Sequence, residues 1–127
     1  MNVLASATAL DGSLETCWTV ELGNPAVSTQ VTLTATLDEA VRLCELKNVR
    51  CTCGGGFSPV RIAVDALTSD WVEICAVFPA DSNMAQTLPL TIPDALASQE
   101  ASAVRLRLGG STDAFGRVII YELGLLA

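Results

Sequence analysis

The sequence predicts an all-β fold in which two sheets pack face to face as a β-sandwich or jelly roll. Apolar and β-branched residues alternate with polar residues in several segments, which is the pattern of half-buried strands. Turn-forming residues recur about every ten positions and separate seven or eight short strand patterns, a spacing typical of sandwiches. A chain of 127 residues has the length of one ordinary domain, so we expect a single domain over residues 1–127.

Two strand patterns in the first half of the chain alternate strictly. Residues 29–36 place apolar side chains on one face and threonines on the other. Residues 49–53 alternate in the same way and include Cys51 and Cys53. Three consecutive glycines, residues 54–56, then predict a turn or a bulge, because glycine weakens a strand.

Two further strand patterns follow in the middle of the chain. Residues 60–64 and 71–77 predict a hairpin joined through a turn at residues 68–70. A later strand pattern alternates valine and leucine, which we expect to be buried, with Arg105 and Arg107, which we expect to be exposed.

Three segments complete the prediction. Residues 93–101 begin with proline and contain good helix formers, which predicts a single turn or a short helix. Residues 79–86 are rich in turn formers and predict a long exposed loop. Residues 113–126 combine a loop bearing an acid, an aromatic residue and an arginine with an alternating terminal strand.

The composition argues against most enzyme classes and against two classes of partner. The chain has no histidine, which excludes every mechanism that uses imidazole, including the serine and cysteine triads. A net charge of −7 disfavours nucleic acid and anionic membranes, which both require a basic surface. No apolar run approaches the ~20 residues that a membrane helix requires. We therefore expect a non-enzymatic protein with no nucleic-acid and no membrane partner.

The cysteines and the first residues predict an intracellular protein, in the cytoplasm, the nucleus or both. Five cysteines without a repeating spacing form a poor disulfide framework and are ordinary in a reducing compartment. Residues 1–6 lack the basic and apolar regions of a secretory signal.

Several motifs resemble those of discoidin-like proteins. The pattern Asp11-Gly-x-x-x-Thr16-x-Trp18 resembles the signature of the discoidin, or coagulation-factor type C, superfamily, whose fold is a galactose-binding-like jelly roll. The chain also resembles a narrower group, the small intracellular discoidin-like family that includes the protein associated with the testicular orphan nuclear receptor. The motifs similar to that group are residues 15–18, 55–58, 78–83 with 86–87, and 113–121.

The resemblance implies a discoidin-like jelly roll and a non-catalytic protein-binding or adaptor role, which includes co-regulation of transcription. The family has a longer first strand than the ten residues before Asp11 allow, so we expect that strand to be shortened or absent. Loops at one end of such a jelly roll form a recognition surface, and here they cover residues 22–27, 55–58, 79–86 and 111–117. We expect Phe57 and Met84 to be exposed there and to anchor a protein partner.

Asp113, Phe115 and Arg117 have two interpretations. In the first interpretation the three residues form a ligand surface, in which Phe115 is exposed and Arg117 binds a carboxylate of the ligand. Alternatively, Asp113 and Arg117 form an internal salt bridge that fixes their loop.

The resemblance also implies a calcium site. In the superfamily the Asp-Gly loop wraps Ca²⁺ with oxygen ligands and a glutamate from the last strand, and the matching positions here are Asp11, Ser13, Thr16 and Glu122. Ser13 replaces the acid or amide that calcium-binding members often have. The alternative is that Asp11 and Thr16 pin the loop by hydrogen bonds and that Glu122 is a partly exposed strand carboxylate.

Trp18 and the Cys51–Cys53 pair also have two interpretations. Trp18 is a core residue or an aromatic plate for a sugar or peptide. The two cysteines lie on the same strand face as the apolar residue Val49, so we interpret them as small core residues. The alternative is that they form a zinc site or a disulfide.

Two other functions follow from the resemblance. One is a carbohydrate-binding module, for which few aromatic residues remain outside the core. The other is a calcium-binding subunit of a larger complex, similar to the discoidin-like component of intraflagellar transport.

Overall fold

The computed structural model describes the backbone of residues 3–8, 18–21 and 31–126, and the side chains of residues 32, 34, 36, 37 and 39–126. Nine strands in these ranges form two antiparallel sheets. The first sheet contains β1 (Val3–Thr8), β2 (Trp18–Glu21), β4 (Asn48–Cys53), β7 (Gln86–Pro89) and β9 (Arg117–Leu126). The second contains β3 (Val31–Arg42), β5 (Arg61–Leu67), β6 (Trp71–Val77) and β8 (Glu100–Gly109). A 3-10 helix, Leu43–Glu45, links β3 to β4.

The terminal strand β9 organises the first sheet. It pairs with β4 on one side and with both β1 and β2 on the other, and β7 extends the sheet beyond β4. In the second sheet the order is β3-β8-β5-β6. Among the nine described strands, sequence neighbours pair directly only in the β5–β6 hairpin, so most of the fold depends on contacts between distant segments. The fold is a discoidin-like β-sandwich, as the sequence predicts.

The core lies between the sheets, and its described residues are almost entirely aliphatic. Burial of a valine, leucine or isoleucine side chain contributes roughly 1.5–3 kcal/mol, so these residues dominate the stability of the fold. The first sheet contributes Val49, Cys51, Cys53, Val118, Ile120, Leu123 and Leu125, and the second contributes Ile62, Val64, Ala66, Ile74, Val104, Leu106 and Leu108.

Several sequence predictions are confirmed. The predicted hairpin is β5–β6, and its turn is closed by a bond from the Thr68 N–H to the Asp70 carbonyl. Residues 93–99 form hydrogen-bonded turns, and strand β8 begins at Glu100. Cys51 and Cys53 are fully buried in the core.

The first strand, which the sequence predicts to be shortened or absent, is present as β1 over six residues and pairs with β9. One prediction about the second sheet is wrong. Arg105 and Arg107 are half-buried rather than exposed, with side-chain exposures of 28% and 23%, because both reach the buried carboxylate of Asp65. The predicted orientation of residues 31, 33 and 35 concerns side chains outside the described set.

Candidate functional site

Three loops meet at one end of the sandwich, and we call this surface the loop end. They are the β4–β5 loop (residues 54–60), the β6–β7 loop (residues 78–85) and the β8–β9 loop (residues 110–116). The predicted fourth loop, residues 22–27, lies outside the described residues. Three of the predicted recognition loops are therefore brought together.

The glycine run shapes the β4–β5 loop. A turn forms where the Phe57 N–H donates to the Gly54 carbonyl, as the glycines predict. Gly56 has φ +82°, a conformation that side chains with a Cβ rarely adopt. A Cβ on Gly54 would lie 3.0 Å from the Cβ of Ile119, so the loop passes close to β9 only because no side chain intervenes. The Gly54 N–H and the Ile119 carbonyl are bonded at this crossing.

The carboxylate of Asp81 joins all three loops. Its Oδ1 accepts hydrogen bonds from the Gly56 N–H at 2.7 Å, the Ser58 hydroxyl at 3.0 Å and the Thr112 hydroxyl at 3.3 Å. Asn83 adds a bond from the Gly55 N–H to its Oδ1 at 2.6 Å. The bonds from Gly56, Ser58 and Thr112 favour the ionised carboxylate and hold the pKa of Asp81 below its ordinary value.

The β6–β7 loop is closed on itself. The Ala80 N–H donates to the side-chain oxygen of Gln86, and the Gln86 amide donates back to the Ala80 carbonyl, both at 2.8 Å. The Met84 N–H donates to the Ser82 hydroxyl. Met84 is 74% exposed on this closed loop, as the sequence predicts.

The β8–β9 loop holds an arginine between an acid and two rings. Arg117 Nε donates to Asp113 Oδ2 at 2.9 Å, and this cation lowers the pKa of Asp113. The guanidinium carbon of Arg117 lies 5.2 Å from the ring centre of Phe57 and 5.5 Å from that of Phe115, within cation–π range. The predicted internal salt bridge is thus present. Phe115 is 75% exposed, whereas Phe57 is half-buried rather than exposed.

No protein-family model matches the chain. The nuclear receptor 2C2-associated protein of Danio rerio is 33% identical over 118 residues, which cover 91% of this chain and 74% of the relative. The protein of the same name from Homo sapiens is also 33% identical over 118 residues, covering 91% of this chain and 75% of the relative. The chain belongs to this family.

Solved carbohydrate-binding modules share the fold of this family member. The family 32 module of C. perfringens NanJ, in complex with galactose, matches with a TM-score of 0.61 and 15% identity, over 96% of this chain and 92% of that one. The family 32 module of AlyQ, in complex with 4,5-unsaturated mannuronic acid, matches with a TM-score of 0.59 and 16% identity, over 98% and 95% of the two chains. Identities this low show a shared fold alone.

Of the four predicted calcium ligands, the structure describes one. Asp11, Ser13 and Thr16 lie outside the described residues. Glu122 lies on β9 and is half-buried, and its Oε1 accepts a hydrogen bond from Arg50 Nε at 2.8 Å. In the described part of the chain, no cluster of three or more acidic or cysteine side chains could hold a metal ion.

Backbone pairing nevertheless places both ends of the Asp-Gly segment close to Glu122. Thr8, the last residue of β1, pairs with Glu122, and Trp18, the first residue of β2, pairs with Ile120. The side chain of Trp18 lies outside the described set, so its assignment to the core stays a prediction.

Sequence reasoning missed a charged cluster on the outer face of the second sheet. Asp65 is 1% exposed and accepts hydrogen bonds from Nε of Arg105 at 2.5 Å and Nε of Arg107 at 2.6 Å. Burial raises the pKa of Asp65, but the bonds and charges of the two arginines outweigh it, so the pKa lies below its ordinary value. The available signal was an acid in the middle of an otherwise apolar strand, which requires a cationic partner.

The two core cysteines have no access to solvent. Cys51 and Cys53 are both 0% exposed. The Cys53 thiol donates a hydrogen bond to Cys51; this bond and burial raise the pKa of Cys53, and the same bond lowers the pKa of Cys51. Cys53, which stays protonated, is a poor nucleophile and a poor metal ligand, and burial keeps Cys51 away from any reagent. Among the described residues no helix is long and apolar enough to cross a membrane.

Proposed function

We propose that the chain is a non-catalytic protein-binding or adaptor module that holds its partner at the loop end. One observation carries the proposal. Among the described side chains, the four exposed large apolar residues all belong to the three loops of this end: Val60 (48%), Phe78 (67%), Met84 (74%) and Phe115 (75%). Exposed apolar residues concentrated on one surface are typical of interaction sites, whereas scattered ones require no explanation.

The loop end is also ordered in advance of binding. Asp81 ties the three loops together, Gln86 closes the loop that carries Met84, and Asp113 fixes Arg117 beside Phe115. A surface that is already ordered loses less conformational entropy on association, so more of the burial of its apolar side chains appears as affinity. Within this proposal Phe57, Asp113 and Arg117 support the ring of Phe115, and Met84 and Phe115 insert into the partner.

The family name supports a nuclear receptor as the partner. The relatives from Danio rerio and Homo sapiens are named as associated with nuclear receptor 2C2. We extend that association to this chain as a role in transcription co-regulation, with a location in the cytoplasm, the nucleus or both.

Binding to purified human nuclear receptor 2C2 tests this function. We expect the double variant Met84→Asp, Phe115→Asp to bind at least about thirtyfold more weakly, because the loss of even one central apolar anchor costs about 2 kcal/mol. Ser98→Asp, in the exposed turn just before β8, introduces a similar charge at the end of that strand opposite to the β8–β9 loop and should leave binding unchanged. Equal binding by both variants would place the interface elsewhere, and no binding by the unmodified chain would contradict this receptor as partner.

Carbohydrate binding is the second candidate function, and it rests on the exposed ring of Phe115 beside Arg117. An aromatic face next to a guanidinium can stack on a sugar ring and donate hydrogen bonds to its hydroxyl groups. Titration of galactose, followed by amide chemical shifts, tests it. Shifts at Phe115 and Arg117 would support a sugar site, and an unchanged spectrum would exclude galactose.

Calcium binding by Asp11, Ser13, Thr16 and Glu122 is a separate proposal. Glu122 offers the hard oxygen ligands that Ca²⁺ prefers, and the ends of β1 and β2 bring the Asp-Gly segment to it. The Arg50 guanidinium competes with the ion for the same carboxylate.

A further inference from the structure

The outer face of the second sheet concentrates positive charge on an acidic protein. Strand pairing places Asp65 of β5 opposite Arg105 of β8 on one side and opposite Glu73 of β6 on the other. Arg61 lies on the same face of β5 as Asp65, and Arg107 lies on the same face of β8 as Arg105. Among the described side chains, three of the chain's seven basic residues therefore lie around two acids, although the net charge of the chain is −7. We call Arg61, Asp65, Trp71, Glu73, Arg105 and Arg107 the arginine face.

Contacts within the arginine face hold its guanidinium groups in place. Asp65 fixes Arg105 and Arg107 from below, and Glu73 binds Arg61 through both carboxylate oxygens at 2.9 and 3.0 Å and Arg107 at 2.7 Å. The guanidinium carbon of Arg105 lies 4.3 Å from the ring centre of Trp71. Arginine stacked on an aromatic ring and pinned by a carboxylate has already lost much of its rotamer entropy, so it binds a further anion at reduced cost.

Two arginines on this face retain donors. Among the hydrogen bonds of the described residues, Arg105 uses only Nε, and Arg61 uses only Nη2. Their side chains are 28% and 35% exposed, so the remaining N–H groups can reach a ligand outside the sheet. Thr32 and Thr34 are exposed on the neighbouring strand, opposite Arg107 and Arg105, and add hydroxyl groups.

We propose that the arginine face is a second docking surface and that its occupant is an acidic peptide segment, rich in Asp and Glu, of a partner protein. The face offers planar guanidinium donors, which match carboxylates in pairs. The five ionised residues of the face, three arginines and two acids, leave an excess of one positive charge, so charge complementarity favours a carboxylate ligand. Arginine and tryptophan are also the residues that most often dominate protein interfaces. This surface is distinct from the loop end, and its occupancy does not depend on the function proposed there.

A fluorescently labelled hexaglutamate peptide tests the proposal by anisotropy at an ionic strength of about 0.15 M. At that strength the Debye length is ~8 Å, so the distant negative charges of the protein are screened while contacts within the face persist. We expect saturable binding that disappears at about 1 M salt, where the length falls to ~3 Å. No binding by the unmodified chain at the lower strength would overturn the proposal and leave the cluster a structural one.

The double variant Arg61→Gln, Arg105→Gln provides the specific test. It leaves Arg107 bound to both oxygens of Asp65, at 2.6 and 3.0 Å, so the buried carboxylate keeps a cation and the fold is retained. We expect peptide affinity to fall at least about tenfold, since two charge-assisted contacts are removed. The same loss in the control Arg50→Gln, which removes one positive charge from the first sheet, would contradict a defined site.

A single-stranded oligonucleotide of similar charge distinguishes carboxylate from phosphate recognition. Weaker binding of the oligonucleotide than of the peptide is the expected result. Tighter binding of the oligonucleotide would overturn the assignment to an acidic peptide and indicate a nucleic-acid surface instead.

Discussion

At the residue scale, Asp65 is the charged group on which the second sheet depends most. It is almost inaccessible to solvent and forms ion pairs with two arginines of β8. We expect Asp65→Asn to lower the free energy of unfolding by about 2 kcal/mol, because two half-buried guanidinium groups lose their anion. Urea unfolding measures the change. Asp70→Asn in the exposed β5–β6 turn serves as control, and equal effects of the two variants would contradict a structural role for the pair.

Glu122 and Arg50 provide a residue-scale test of the calcium proposal. Glu122→Gln should abolish calcium binding, measured by calorimetry on chelator-treated protein. Arg50→Gln should tighten binding by up to about fivefold, since an exposed ion pair contributes at most ~1 kcal/mol to holding the carboxylate. Absence of heat with the unmodified chain, and of any shift in its melting temperature, would contradict the site.

At the element scale, Asp81 makes the three loops behave as one unit. We expect Asp81→Ala to increase hydrogen exchange at the Gly56 N–H, which loses its acceptor, and at the amides of Ser58 and Thr112, which bond across the same junction. Exchange in the β5–β6 hairpin should not change. Unaltered protection of the Gly56 amide would show that the loops are ordered without this carboxylate.

Gly54 tests how closely the β4–β5 loop must approach β9. In Gly54→Ala the new Cβ would meet the side chain of Ile119 at 3.0 Å, and we expect a loss of stability of about 1–3 kcal/mol from overpacking. The double variant Gly54→Ala, Ile119→Gly removes the Cβ that causes the contact and should recover part of that loss relative to Ile119→Gly alone. Additive effects in urea unfolding would contradict the steric explanation.

Strand identity was predictable where the local pattern is strong, and contacts between distant segments were not. The patterns of β5, β6 and β8 predict strands correctly, and in β8 they also predict the buried face of Val104, Leu106 and Leu108. The four residues of β7 include Pro89, and β1 contains small residues, so these two strands depend on pairing with β4 and β9 rather than on local preference. Asp65 and Arg105 are 40 positions apart, and only strand register makes them neighbours.

The same limit applies to the loop end. The resemblance to discoidin-like proteins predicts that the loops gather. The exposure of Met84 was expected from its loop position, and that of Phe115 from one of its two interpretations. Two other features depend on distances between loops, which the sequence pattern does not contain. They are the stacking of the Arg117 guanidinium on the ring of Phe57 and the three hydrogen bonds to Asp81.

At the scale of the whole molecule, the carboxylates determine how stability depends on pH. The pKa values of Asp65, Asp81 and Asp113 in the folded state are all below their ordinary values. Each therefore contributes stability that is present above the unfolded pKa of about 3.9 and is lost as pH falls through the lower folded pKa. The chain has no histidine to titrate near neutrality.

The expected profile is a free energy of unfolding that is nearly constant from about pH 5 to 8 and declines below about pH 4. Urea unfolding at a series of pH values measures it, and Asp65→Asn should make the acid decline shallower. A decline that begins near pH 6 would show that other groups control the stability.

The central claim is that the loop end binds a protein partner, and quantitative co-purification from cells of the source organism tests it most directly. Three tagged forms are compared: the unmodified chain, the double variant Met84→Asp, Phe115→Asp, and the control Ser98→Asp. The account predicts that specific partners of the unmodified chain are retained by the control and lost from the double variant, at equal expression and equal melting temperature. Partners that remain bound in equal amounts to all three forms would contradict it.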